Sequence, residues 1–207
     1  MGGLDFGQFL GYNMQMTPIV QKDKPVLREI AKEVPKEAIS SPKTKAILAK
    51  MKKALDSQED GVAIAAPQIG VSLRIFVVSL KAFDLAKNGS ANADSSRLKN
   101  RNYGHLIFIN PVITKISKEK ALLEEGCLSV RYKYGKIERS LKATVSAFDE
   151  NGKKFTRGGS GLLAQIFQHE TDHLNGTLFI DNATEIKDVP PENENPSEAK
   201  SVKHDRE

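Results

Sequence analysis

Ile47, Met51, Ala54 and Leu55 recur at helical spacing between Pro42 and about Gln58, and this stripe predicts a first helix there. Ser41 suits its N-cap, Pro42 its first position, and Gly61 follows as a stop. The segments Arg74 to Val78, apolar after its first residue, and Leu106 to Ile109 predict buried strands, the second ending before Asn110-Pro111. Ala143 to Phe148 alternates as a strand should. Asp149-Glu150-Asn151-Gly152 then turns the chain into Lys153-Lys154-Phe155, a hairpin. A last helix is marked by Leu162, Leu163, Ile166 and Phe167, with Ser160 as N-cap and Asn175-Gly176 as its exit.

These elements predict an α+β fold of antiparallel sheets packed around a C-terminal helix, with one earlier helix. Residues 1–18 read as a loosely attached arm. The polar stretch 81–104 reads as a long surface loop, and 184–207, rich in Pro, Glu, Asn and Lys, reads as a disordered tail. A single domain over 19–183 remains.

With 207 residues, the chain can bury a core without disulfides or oligomerisation, which favours a monomer. No apolar run approaches a bilayer span, so no membrane contact is expected. The net charge of +5 is scattered among 26 acidic residues, which suits solubility and argues against a specific DNA-binding face. The first Lys is Lys22, so the chain's start lacks the basic opening of a secretory signal, and Phe6 stands where a myristoylation motif wants Ser or Thr. A cytoplasmic location is the expectation. Cys127 is the single cysteine, which rules out an intramolecular disulfide; taken alone it reads as a small buried hydrophobe.

The last helix carries His169-Glu170-Thr171-Asp172-His173, the pattern H-E-x-x-H. On a helix the two imidazoles lie one turn apart on one face and reach a single ion, with Glu170 beside it. A divalent ion lowers the pKa of its water, and the neighbouring carboxylate takes the proton and returns it to a leaving nitrogen. Chance occurrence on a polar face is the bland alternative, weakened by the apolar, capped helix that holds the motif.

Two His residues need a third protein ligand. The metzincin extension fails, because Phe179 stands where its last His would be. Glu185, Glu192 and Glu194 lie at the edge of the presumed tail or inside it and make poor fixed ligands. Upstream, Glu124-Glu125-Gly126-Cys127-Leu128-Ser129 offers the thiol, and a thiolate is a strong ligand for zinc or ferrous iron.

Gly61-Val62-Ala63-Ile64-Ala65-Ala66-Pro67-Gln68, then Glu125-Gly126-Cys127-Leu128-Ser129, then Gln168-His169-Glu170-Thr171-Asp172-His173 together resemble peptide deformylase over about Ile19 to Asp181. The resemblance implies removal of the formyl group from the N-terminal formyl-methionine of nascent chains, with release of formate. It makes Cys127, His169 and His173 the metal ligands and Glu170 the acid/base. Gln68 and the backbone N–H of Leu128 become oxyanion donors, and Gly61, Val62, Ala63, Glu125, Gly126, Leu162 and Ile166 the substrate-binding positions. The implied ion is one Fe²⁺ per chain, with Zn²⁺, Ni²⁺ or Co²⁺ as substitutes. The implied partners are N-formyl-Met nascent peptides, with transient ribosome contact.

Arg139 also matches the pattern, although it reads first as a structural salt-bridge partner. The departures are Ala63 where a second Gly is usual, Arg131 where Pro often follows, and Gln165 where an apolar residue is usual. Ala63 and Gln165 motivate the alternative of a weakly active deformylase-like protein that binds metal or formyl peptide. An H-E-x-x-H metalloprotease is the other alternative.

Overall fold

Ser41 begins the first helix as expected: its hydroxyl oxygen accepts from the Thr44 N–H at 3.2 Å, and Pro42 takes the first position. The computed structural model describes residues 18–87 and 103–190. Helix α1 spans Pro42–Asp56 and buries Leu48, Met51, Ala54 and Leu55. Strands β1 (Ala63–Ala65) and β2 (Ile75–Ser79) follow, then helix α2 (Lys81–Lys87). After them come β3 (His105–Ile116), β4 (Lys120–Gly126), β5 (Lys133–Ser140), β6 (Lys142–Phe148) and β7 (Lys154–Ser160). Helix α3 (Leu162–Leu174) and β8 (Thr184–Asp188) complete the order.

One antiparallel sheet has the order β1-β2-β3-β6-β7, and the other has the order β4-β5-β8. The five-stranded sheet is covered on both faces. Phe76 and Val78 of β2 join the core formed with α3, while Ile75 and Val77 join the core formed with α1. This two-sided burial is why β2 reads as a continuous apolar run rather than an alternating one. A third, smaller core of Leu27, Val130, Ile137, Leu178 and Phe179 lies under the three-stranded sheet, with Cys127 packed against it.

The class is therefore α+β with antiparallel sheets, as the residue pattern indicates, but several local expectations change. Lys81–Lys87 is helical, not the start of a loop; seven residues carry too little periodicity to declare a helix, and buried Ala82 docks it into the core it shares with α3. Thr184–Asp188 is a strand, not the start of a tail. All five of its residues are exposed, and Lys133–Asp188 at 2.6 Å and Lys136–Glu185 at 2.7 Å link it to β5. Strand β3 does not stop before Asn110-Pro111. Asn110 adopts φ +51° at a bulge, and its side-chain amide exchanges two hydrogen bonds with the Val34 backbone. The N-cap of α3 is Gly161 at φ +53°, with Ser160 ending β7 instead. The expected arm up to residue 17, residues 88–102 of the expected loop and residues 191–207 of the expected tail lie outside the described residues.

Candidate active site

Helix α3 is held along its length before it offers any chemistry. Fully buried Phe167 meets Phe108 edge-on at 5.4 Å, and Phe108 stacks on Phe76 at 4.5 Å. At the C-terminal end, the Leu174 carbonyl accepts from Ala31 N–H at 2.9 Å and from Arg74 Nη1 at 3.2 Å. Gly176 takes φ +75° where an added Cβ would sit 2.6 Å from the Arg28 carbonyl oxygen. The helix that carries His169, Glu170 and His173 is thus fixed in rotation and in height.

Cys127 enters from the loop that ends β4. Its Sγ lies 3.2 Å from Nε2 of His173, and one ligand atom each from Cys127, His169 and His173 falls within 4.8 Å of the others. His169 Nδ1 is engaged by Glu125 Oε1 at 2.6 Å, which leaves its Nε2 for the centre of the triad. Glu170 Oε2 is buried beside this triad without a hydrogen-bond partner among the described residues. One thiol, two imidazoles and an orphaned carboxylate oxygen fit a four-coordinate divalent ion with a working base at its side.

Gln68 sits on a short 3-10 turn, Ala66–Ile69, directly after β1. Its Oε1 accepts from the Ala65 N–H at 2.8 Å, and its Nε2 donates to Ser129 Oγ at 3.2 Å and points at Cys127 Sγ at 3.6 Å. The sulfur also faces the Ser129 N–H at 3.4 Å. Donors therefore converge on the thiolate side of the triad.

Charges are arranged around Glu125. Burial opposes its ionisation, yet hydrogen bonds from His169 and Arg139 overcome that and hold its pKa at about 2. Arg139 forks the carboxylate at 2.7 and 3.0 Å and reaches Asp172 at 2.6 Å. Burial likewise opposes a charge on His169, but hydrogen bonds to Cys127 and Glu125 raise its pKa well above the usual value. His173 is pushed well below its usual value by burial and then by the charge of His169. Burial lifts Glu170 to about 7.

A cavity of about 290 Å³ opens in front of these groups. On one wall are Gly61, Val62 and Ala63, leading into β1; on the other are Glu124, Glu125 and Gly126 of β4. Both β1 and β4 are edge strands of their sheets, so the cavity runs between two strand edges that have no partner strand among the described residues. Leu162, Gln165 and Ile166 of α3 and Leu128 add to its lining.

A family model described as polypeptide deformylase matches residues 16–189. The chain belongs to the polypeptide deformylase family. Among deformylase relatives it is 39% identical to peptide deformylase 1A, chloroplastic, of Solanum lycopersicum, over 84% of this chain and 64% of that protein. It spans less than two thirds of this longer plant relative. It is 38% identical to the peptide deformylase of Psychrobacter cryohalolentis, over 84% of this chain and 83% of that one. The Met-Ala-Ser-bound crystal structure of the Acinetobacter baumannii peptide deformylase superposes with a TM-score of 0.67 at 30% identity, covering 81% of this chain and 98% of that one.

The site positions that the sequence singles out in this deformylase line this cavity except His173, which is in contact with Cys127. The Glu125 carboxylate is almost wholly buried and held by Arg139, His169 and Gln165, so it orients His169, while its residue still lines the cavity on the edge of β4. Arg139 is a salt-bridge partner, as its sequence context suggests, but a buried one that reaches the metal-ligand set through Glu125. Ser129, which holds the Gln68 amide, closes the thiol block in the sequence but carries no role of its own there. Its signal is weak, because a Ser two residues after a Cys has many explanations. Arg139 leaves a clearer trace: it follows Gly135 and Ile137 on the inward face of β5, and an inward Arg demands a buried anion.

Proposed function

We propose that this chain hydrolyses the N-formyl group of formyl-methionyl peptides, releasing formate and a free amino terminus. The observation that carries the reading is the convergence of Cys127, His169, His173, Gln68 and the orphaned Glu170 carboxylate at one end of a cavity bounded by two open strand edges. An extended peptide laid in that cavity pairs its main chain with the edges, as added strands do. Its first side chain rests among Val62, Leu162 and Ile166.

When bound by the thiol and two imidazoles, a divalent ion supplies Lewis acidity and lowers the pKa of water. The residues provide the rest. Gln68 Nε2 and the Leu128 N–H donate to the oxygen that gains negative charge as the formyl carbon becomes tetrahedral. Glu170 takes the proton of the attacking water and delivers it to the departing nitrogen. Glu125, clamped by Arg139, keeps Nδ1 of His169 occupied so that Nε2 stays presented.

We place the reaction in the cytoplasm on nascent chains, with transient ribosome contact, in a monomeric protein, and with Fe²⁺ as the ion and Zn²⁺, Ni²⁺ or Co²⁺ as substitutes. The Met-Ala-Ser peptide bound by the Acinetobacter baumannii relative supports the substrate class. The metalloprotease alternative has no support from the relatives. The test is anaerobic purification with metal analysis, followed by formate release from formyl-Met-Ala-Ser by wild type and Glu170→Ala. Formate from the wild type alone supports the reading; metal without turnover, or cleavage of internal peptide bonds, defeats it.

A further inference from the structure

Gln165 stands one turn before His169 on α3 and lines the cavity. Its Nε2 donates to the Glu124 carbonyl oxygen at 2.8 Å and to Glu125 Oε2 at 3.2 Å. A main-chain carbonyl and a carboxylate ion-paired with Arg139 can only accept, so the amide cannot be turned end for end. Its Oε1 is therefore directed away from both. That oxygen is absent from the buried polar atoms left without a partner, and no described residue donates to it, so it is not sealed from solvent. Gln165 shares the cavity wall with the apolar side chains of Val62, Leu128, Leu162 and Ile166. The result is a fixed hydrogen-bond acceptor on a residue of that wall, held in place by two bonds to β4.

We propose that Gln165 is a specificity-determining residue, its Oε1 admitting an unbranched first side chain that ends in an N–H donor. Glutamine is the side chain of that class with methionine's length. The inference rests on the deformylase reading of the cavity. A methionine side chain makes no use of the acceptor and is held by the apolar wall, whereas a glutamine amide finds its partner there. Without Oε1 the same amide lies against Val62, Leu162 and Ile166 with its donor unpaired, which costs about tenfold or more in transition-state binding.

The experiment compares metal-loaded wild type, Gln165→Met and Gln165→Leu on formyl-Met-Ala-Ser and formyl-Gln-Ala-Ser. Both replacements are good helix formers, and thermal melting checks that each variant is folded. In parallel, the formyl-free peptides Met-Ala-Ser and Gln-Ala-Ser are titrated calorimetrically into the same three proteins. The wild type is expected to process the two substrates within about tenfold in kcat/KM. Both variants should widen the preference for methionine by about a further tenfold, through loss on the glutamine peptide, with a parallel shift in the binding ratio. A preference unchanged in both variants, or a wild type that neither binds nor processes the glutamine peptide, overturns the proposal. Absence of formate from both substrates defeats the deformylase reading instead, and the binding ratio still decides on Gln165.

Discussion

Nδ1 of His169 lies 2.6 Å from Oε1 of Glu125, and the same carboxylate is forked by Arg139, so an imidazole of the candidate metal set is oriented by a buried ion pair. Replacing Arg139 with Met removes the fork and leaves Glu125 charged in the interior. The expected loss is about 3–5 kcal/mol of stability, read from denaturant titration. Because the folded pKa of Glu125 is about 2 against an ordinary 4.5, the pair's contribution is complete above pH 4.5. It drains away as pH falls towards 2. In Arg139→Met this acid-side slope should shrink; an unchanged pH profile would count against the pair.

Glu170 has the opposite sign. Burial raises its carboxyl to about 7, so above pH 4.5 the fold carries a growing penalty for ionising it, complete above pH 7. Glu170→Gln in the metal-free protein should therefore be more stable than wild type at pH 8, by on the order of 3 kcal/mol, and equal to it at pH 4. The same variant should lose formate release by about 10²–10⁴. Gain of stability together with loss of turnover marks a group kept for chemistry; loss of both would mark a structural one.

Gln68→Ala should lower kcat for formyl-Met-Ala-Ser by about 10²–10³ with little change in KM, since the amide is aimed at charge that develops only during reaction. Steady-state kinetics read this directly. An equal rise in KM with kcat intact would make Gln68 a ground-state binder.

At Gly176, φ is +75° and a Cβ would meet the Arg28 backbone at 2.6 Å. Gly176→Ala should cost at least about 2 kcal/mol and loosen the end of α3 that bears His173. Thermal melting measures the first effect, and zinc retention against a competing chelator measures the second.

How much of the fold and site is legible in the residues depends on where each signal comes from. The H-E-x-x-H turn, the thiol block and the capped stripe of α1 are local patterns, and local patterns survive in one dimension. The seven-residue α2 and the fully exposed β8 do not, because one is held by docking near α3 and the other by pairing with β5, both distant in sequence. Asn110 misleads for a related reason. A side chain that satisfies the Val34 backbone lets the strand run through a position that, seen alone, looks like a terminator. Within the site, the two His ligands are readable from spacing, and the thiol joins them through the resemblance. The clamp of Glu125, Arg139 and Asp172 is not, since its three members come from β4, β5 and α3.

The two open strand borders facing each other across the cavity mean that recognition is written in amide groups, which every polypeptide shares. Under the proposed reaction, a peptide gripped that way would be accepted with little regard to the side chains beyond its first. With β1 only three residues long, the berth is also short. A brief extended segment fits, a long foreign strand finds no continuing rail, and the same opening that welcomes a guest does not seed aggregation.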